Sequence, residues 1–269
     1  MSKRVLVLAA HPDDAELFAG GTLAKMIADG AEVAVLVATN GDAGSFELGR
    51  TRLAEVRRLE ALQAAGVLGV HEVAFLDHPD GELDQLEPGF LREQFIRAIR
   101  GRRPDVVFTF DPFAPFEDHP DHRAVAFAAQ EAAHFSAFPL YCPQQLAEGL
   151  QTHLVGEKYF FAKHPTHANE AVDISDTLDV KIAALLEHKS QVAFLFEFWV
   201  QQAALVGVDI STILPDEIAG DGRAAQGLAW VVREQARAAG AAAGMEFAER
   251  FRHTRFNEMI EAVLGAQGS

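Results

Sequence analysis

Apolar and polar positions fall in blocks along the first half of the chain, and the blocks have two different periods. Residues 4–10 ("RVLVLAA"), 32–40 ("EVAVLVATN"), 72–77 ("EVAFLD") and 105–110 ("DVVFTF") are short runs rich in Val, Leu and Phe. Apolar on both faces, such runs predict strands of a buried parallel sheet. Between them, 16–29 (Leu17, Leu23, Ile27, closing near Gly30), 50–65 (Leu53, Val56, Leu59 and Leu62 on one side) and 89–101 have helical spacing. This alternation implies right-handed crossovers and an α/β class, a Rossmann-like, doubly wound, mostly parallel sheet.

The second half is less regular. "KYFFA" (158–162) and "EAVDI" (170–174) predict short strands, and 175–188 a helix ending in "EHKSQ". An aromatic stretch follows from 194, "FLFEFWVQQAALVG", and 223–249 is Ala-rich and reads as helical. The organisation expected is a main unit over 1–191 and a helical C-terminal extension over 192–269, packed on the same domain. Aromatic residues 194–199 suit a pocket wall or, by preference, an interface between subunits.

Each predicted strand of the first half ends in polar residues: "HPDD" after the first, "TNGD" after the second, "DHPDG" after the third and "FDPFAPFEDHPDH" after the fourth. In doubly wound sheets ligands bind beyond the carboxyl ends of the strands. The pattern therefore points to one shared site rather than four solvated loops. The "GG" at 20–21 signals close helix packing, because no G-x-G-x-x-G follows the first strand.

Composition narrows the setting. A 269-residue chain, 49% hydrophobic, can bury the core of one large α/β domain. Its net charge of −16 argues against a nucleic-acid partner, which needs a basic face. No run reaches the 18 or more apolar residues of a membrane span. The apolar run at the amino terminus stops at His11 without a signal cleavage site. Cys142 is the one cysteine, so an intramolecular disulfide is excluded and a cytoplasmic location is expected. With no base nearby in sequence, Cys142 reads as a small apolar residue.

"HPDD" (11–14) and "HPDH" (119–122) are near duplicates, each at a strand-to-helix junction. One His-Pro-Asp alone is equally well a turn whose Asp caps a helix. Two of them at corresponding strand ends can supply the three His or carboxylate ligands of a hydrolytic zinc site, with one position left for water. Zinc lowers the pKa of that water from about 15.7 towards ~7, and a neighbouring carboxylate can act as general base. His78 reads as a loop residue; His134, His153, His164, His167 and His253 lack any partner pattern.

"AAHPDDAELFAGGTLA", "TNGDAGS", "RLAE", "FLDHPDGEL", "PDVVFTFDP", "HPDHRAV" and "HKSQ" together resemble the LmbE/PIG-L family of zinc-dependent N-deacetylases, over residues 4–191. The resemblance implies Zn²⁺ held by His11, Asp14 and His122, with Asp13 as general base. It implies that His119 stabilises the tetrahedral intermediate and helps protonate the leaving amine, with Asp121 orienting it. Asp42 and Arg52 correspond to polar positions lining the substrate pocket, although Arg52 also suits a surface pair with Glu47 or Glu55. Glu16 would play a supporting part. The implied substrate is a small molecule containing N-acetylglucosamine, acted on by a cytoplasmic homo-oligomer, a hexamer or trimer as in similar bacterial members. Alternatives are an amidase of the same family, or a non-catalytic sugar- or nucleotide-binding domain with a structural metal. Asp13 speaks against the last, since a structural site needs no spare carboxylate. One departure stands out: Glu117 occupies a position where some sugar deacetylases of the family have tyrosine.

Overall fold

The computed structural model of the chain describes residues 2–215, 217–218, 220–255, 260 and 263. Elements run in the order β1 (Arg4–Ala9), α1 (Asp14–Ala28), β2 (Glu32–Thr39), α2 (Arg50–Leu68), β3 (Glu72–His78), α3 (Phe90–Arg102), β4 (Val106–Phe110), α4 (Pro120–Phe135), α5 (Pro143–Ala147), β5 (Glu157–Phe161), β6 (Glu170–Asp173), α6 (Leu178–Leu185), α7 (Lys189–Leu205), α8 (Arg223–Ala241) and β7 (Ala248–Arg255). They build a seven-stranded sheet of order β3-β2-β1-β4-β5-β7-β6. β1 pairs in parallel with β2 on one side, Val5 opposite Val33, and with β4 on the other, Val5 opposite Val106. Strand order therefore reverses between β1 and β4, and the two His-Pro-Asp motifs emerge side by side from this reversal, where such sheets bind ligands. The core follows from the sequence: Leu6, Val7, Leu8, Phe95, Ile96, Ile99, Val106 and Phe108 are all buried. Among the described residues no helix is long and apolar enough to cross a membrane.

Two expectations change. Half of the predicted apolar side of α2 is exposed, Leu59 at 60% and Leu62 at 48%, while the buried face keeps Leu53 and adds Arg57, Glu60, Ala61 and Ala64. Arg57 and Glu60 tolerate this burial because each has partners: Asp13 for Arg57 and the backbone and hydroxyl of Ser190 for Glu60. The C-terminal region is helical through α7 and α8, but 223–249 is not one helix. α8 ends at Ala241, and the chain doubles back so tightly that a Cβ on Gly240 would lie 2.7 Å from the Glu246 carbonyl oxygen. β7 then enters the sheet antiparallel to β5 and β6. Residues 256–259, 261–262 and 264–269 of the expected extension lie outside the described residues.

β7 looks polar in sequence because its buried Glu249 is satisfied internally. That carboxylate accepts hydrogen bonds from the Gly21 and Thr22 backbone N–H groups within α1 (3.0 and 2.8 Å), from the Thr22 hydroxyl, and from Lys181 at 2.5 Å. The paired glycines make room for the approach, since a Cβ on Gly21 would meet Ile174 at 2.8 Å and one on Gly20 would meet Lys181 at 3.1 Å. Close packing of α1 on α6 is the outcome expected of "GG". Replacing Glu249 by Ala would leave the buried Lys181 ammonium unpaired. The variant should lose about 3–5 kcal/mol in equilibrium denaturant unfolding; a loss under ~1 kcal/mol would show that this carboxylate does not pin α1 to β7.

Candidate metal centre

β1 runs out at Ala9, and the chain turns at once into α1. The turn is closed by Asp14, whose Oδ2 accepts from the backbone N–H groups of Ala10 (2.9 Å) and His11 (2.7 Å). This fixes two side chains at once. His11 Nδ1 faces His122 Nε2 at 3.1 Å, and Asp14 lies 3.7 Å from the first nitrogen and 3.6 Å from the second. His122 rides on the first turn of α4 with Phe110 stacked on its ring at 4.0 Å. All three residues are buried.

Each imidazole turns its other nitrogen to carboxylates. His11 Nε2 is 3.1 Å from Asp80 Oδ1 and 3.3 Å from Asp121 Oδ2, and His122 Nδ1 is 3.1 Å from Glu117 Oε2. Glu117 lies beside Lys163 (3.0 Å), its side chain 8% exposed, and accepts from the His119 backbone N–H. Asp121 does not orient His119 through its carboxylate. Its two oxygens accept from Gly81 and Leu83 N–H groups, while its own backbone N–H donates to His119 Nδ1 at 3.3 Å, capping α4. This bond leaves the His119 proton on Nε2. The His119 ring lies 4.7 Å from that of His122 and 4.5 Å from that of His11.

Electrostatics follow from this crowding. Burial alone would lower the His11 pKa, but hydrogen bonds to Asp121, Asp14 and Asp80 raise it well above its ordinary value. Against burial, His122 and His11 hold Asp14 at about 2. Burial, with repulsion from His11 and His122, lowers His119. Contact with His122 holds Glu117 at about 2 despite its burial.

Asp13, next to Asp14 in the chain, is held by Arg57, which donates to its Oδ1 at 2.8 Å. The same guanidinium donates to the Gly41 carbonyl and lies 3.6 Å from Asp80. Asp42 is near the cluster through a hydrogen bond from the Asp80 backbone N–H, 3.0 Å. Arg52 is not drawn in: it is 66% exposed and pairs with Glu55 at 3.0 Å. Glu16 lies 3.5 Å from buried His188 of the "HKSQ" stretch. Asp111, at the end of β4, takes a two-pronged ion pair from Arg252 of β7, both contacts 2.9 Å, and Arg252 also covers the Phe160 ring at 4.0 Å.

Asp80 and Arg57 join the cluster as well, and sequence marks them weakly. Asp80 had a signal, since "HPD" at 78–80 is a third copy of the motif. In this copy the histidine turns away, to Gln94 at 2.8 Å, and the acid alone enters the cluster. Arg57 sits four residues beyond buried Leu53, so only knowledge of which face of α2 is buried marks it.

These donors suit a zinc ion. Tetrahedral bonds of 2.0–2.2 Å place ligand atoms about 3.3 Å apart, near the separations of the His11, Asp14 and His122 atoms. The two imidazoles face one another through nitrogen and are backed by carboxylates, the arrangement that orients metal-binding histidines. Two overlapping groups of side chains could hold an ion among the described residues, His11–His119–His122 and His11–Asp80–His119–Asp121.

The profile of the family described as PIG-L, GlcNAc-PI de-N-acetylase, matches residues 6–133. The diacetylchitobiose deacetylase of Thermococcus kodakarensis is 36% identical over 191 residues, covering 70% of each chain. The chain belongs to the PIG-L family. A further PIG-L relative, the 1D-myo-inositol 2-acetamido-2-deoxy-alpha-D-glucopyranoside deacetylase of Mycobacteroides abscessus, is 30% identical over 231 residues, 71% of this chain and 82% of that one. Among solved structures, N,N'-diacetylchitobiose deacetylase from Pyrococcus horikoshii superposes with a TM-score of 0.77 at 29% identity, covering 94% of this chain and 84% of the other.

The raised His11 pKa gives a test in metal-free protein. A folded pKa above the unfolded value of ~6.5 adds stability that is complete below that pH and lost as pH rises through the folded pKa. With chelator present, wild type should therefore be more stable than His11→Asn at pH 6, and the advantage should fade on the alkaline side. Thermal melts across pH check this; an advantage that grows with pH would contradict the raised His11 pKa.

Proposed function

We infer that this PIG-L protein is a zinc-dependent hydrolase that removes the acetyl group from a small molecule containing N-acetylglucosamine. The observation that carries the reading is a two-nitrogen, one-carboxylate donor set with a further carboxylate, Asp13, beside it and fixed by Arg57. Named relatives act on N-acetylglucosamine joined to a second six-membered ring, a sugar in one case and inositol in the other. We extend that substrate class to this chain.

Held by His11, Asp14 and His122, zinc would supply a Lewis acid and a water of lowered pKa. The remaining work falls to protein groups. Asp13 accepts a proton from the attacking water, its carboxylate held in place by Arg57. His119, with Nδ1 committed to the Asp121 N–H, presents Nε2–H to the acetyl oxygen as negative charge develops there. Asp13 then returns the proton to the departing amine, so that amide and water become amine and acetate. Asp80 and Asp121 hold His11 from behind, and Glu117 backs His122.

Asp13 and Asp14 are adjacent and chemically identical, so exchanging each for Asn separates their roles. Asp13→Asn should keep its zinc while acetate release falls about 10²–10⁴-fold in kcat. Asp14→Asn should bind zinc weakly and regain part of its activity when zinc is added in excess. Rescue of Asp13→Asn by zinc, with Asp14→Asn left dead, would reverse the two assignments. Absence of acetate release from every N-acetylglucosamine compound by zinc-loaded wild type would overturn the reading as a whole.

A further inference from the structure

The loop joining β2 to α2 is tied to the centre residue by residue. Gly41 accepts from Arg57, the Ala43 N–H donates to Asp80 Oδ2 at 3.3 Å, and the Gly44 carbonyl accepts from Gln191 of α7 at 3.1 Å. Arg57 and Asp80 touch Asp13 and His11 in turn. Two residues past Gly44 the loop carries Phe46, which rests on Phe194 of α7 with ring centroids 5.0 Å apart; Phe198 continues the row, stacked 6.4 Å beyond Phe194. Gln191, Phe194 and Phe198 follow at intervals of three and four, so the residue that ties down the loop and the two aromatics share one face of α7.

These rings are not core. Phe46 is 55% exposed and Phe198 41%, and neither belongs to a buried apolar cluster. Phe46 nonetheless follows a loop whose Gly41, Asp42 and Ala43 are bonded to Arg57 or Asp80 and whose Gly44 is bonded to Gln191 of α7, so the ring is carried by a segment tied at both the centre and the helix. An exposed aromatic surface held rigidly beside a polar site suits a ligand with polar edges and an apolar face. A pyranose ring is such a ligand, its axial C–H groups presenting one apolar side to an aromatic ring while its hydroxyls remain in water.

We propose that Phe46 and Phe194 form the platform for the second ring of the substrate, the ring joined to the N-acetylglucosamine unit whose acetyl group is removed at the centre. The proposal rests on the hydrolase reading above and deepens it: the acetylated sugar would lie at the centre, and the aromatic row would take its pyranose neighbour. The recognised class is a disaccharide or similar glycoside with a stackable ring, in preference to a lone N-acetyl hexosamine.

The test compares N,N'-diacetylchitobiose with free N-acetylglucosamine on the zinc-loaded, full-length protein. One aromatic stack contributes roughly a 3- to 10-fold preference. The ratio of kcat/KM between disaccharide and monosaccharide should fall by about that factor in Phe46→Ala and in Phe46→Leu, and return to wild type or above in Phe46→Trp. Calorimetry on Asp13→Asn should show the same ratio in Kd, independent of turnover. An unchanged ratio in Phe46→Ala and Phe194→Ala overturns the platform while leaving the hydrolase reading intact. So does a change of oligomeric mass by light scattering with no change of ratio, which would make the row a contact between copies. Failure of any N-acetyl sugar to be hydrolysed or bound overturns both.

Discussion

Asp14 carries the arrangement on which the rest of the centre depends. A single carboxylate oxygen closes the turn after β1 by accepting two backbone N–H groups and lies 3.7 Å from His11 Nδ1, while the other oxygen faces His122 Nε2. The fold and the chemistry thus share one side chain. A buried carboxylate with no partners would be costly; here the turn and the imidazoles stabilise it together, and this explains why an apolar strand can end in charge. His122 is brought to the same point from β4, the neighbour of β1, by the reversal of strand order. Two motifs far apart in sequence become one cluster because their strands are hydrogen-bonded to each other.

The parts of this protein that could be read from sequence are those where burial and polarity agree with type. The four Val- and Leu-rich strands, their order of alternation with helices and the collection of polar residues at their ends all follow from period and composition. Two of the three copies of His-Pro-Asp also announce themselves, through repetition. Reading fails where a charged residue is buried and satisfied by partners far along the chain. Arg57 and Glu60 turn the buried face of α2 away from Leu59 and Leu62, and Glu249 disguises β7 as a continuation of a helix. In each case the compensating group lies in another element, so no local window contains the information. Arg52 shows the converse: a charge beside the site in sequence, turned to solvent by the helix and paired three residues on.

The carboxylates behind the histidines give the centre a layered construction. Asp80 and Asp121 stand behind His11, and Glu117 behind His122, with Lys163 next to Glu117. Because backbone N–H groups of Gly81 and Leu83 hold Asp121, the loop after β3 is built into the same assembly. Three strand ends thereby set the positions of the His11 and His122 nitrogens, as hydrogen-bonded outer groups commonly do around sites able to hold a metal.

The place of β7 bears on how the chain reaches this state. β6 has β7 as its partner in the sheet, and β7 lies between it and β5, so a strand near the carboxyl end closes a sheet begun at residue 4. Arg252 on that strand also grips Asp111, at the root of the segment bearing Glu117 and His119. β1 to β4 precede this segment directly, whereas Arg252, one of the groups that anchor it, lies 141 residues beyond Asp111. Pairings this distant in sequence close slowly. The segment bearing Glu117 and His119 is therefore braced in part by a contact that closes over a long stretch of chain, and the two halves of the sequence meet at the centre itself.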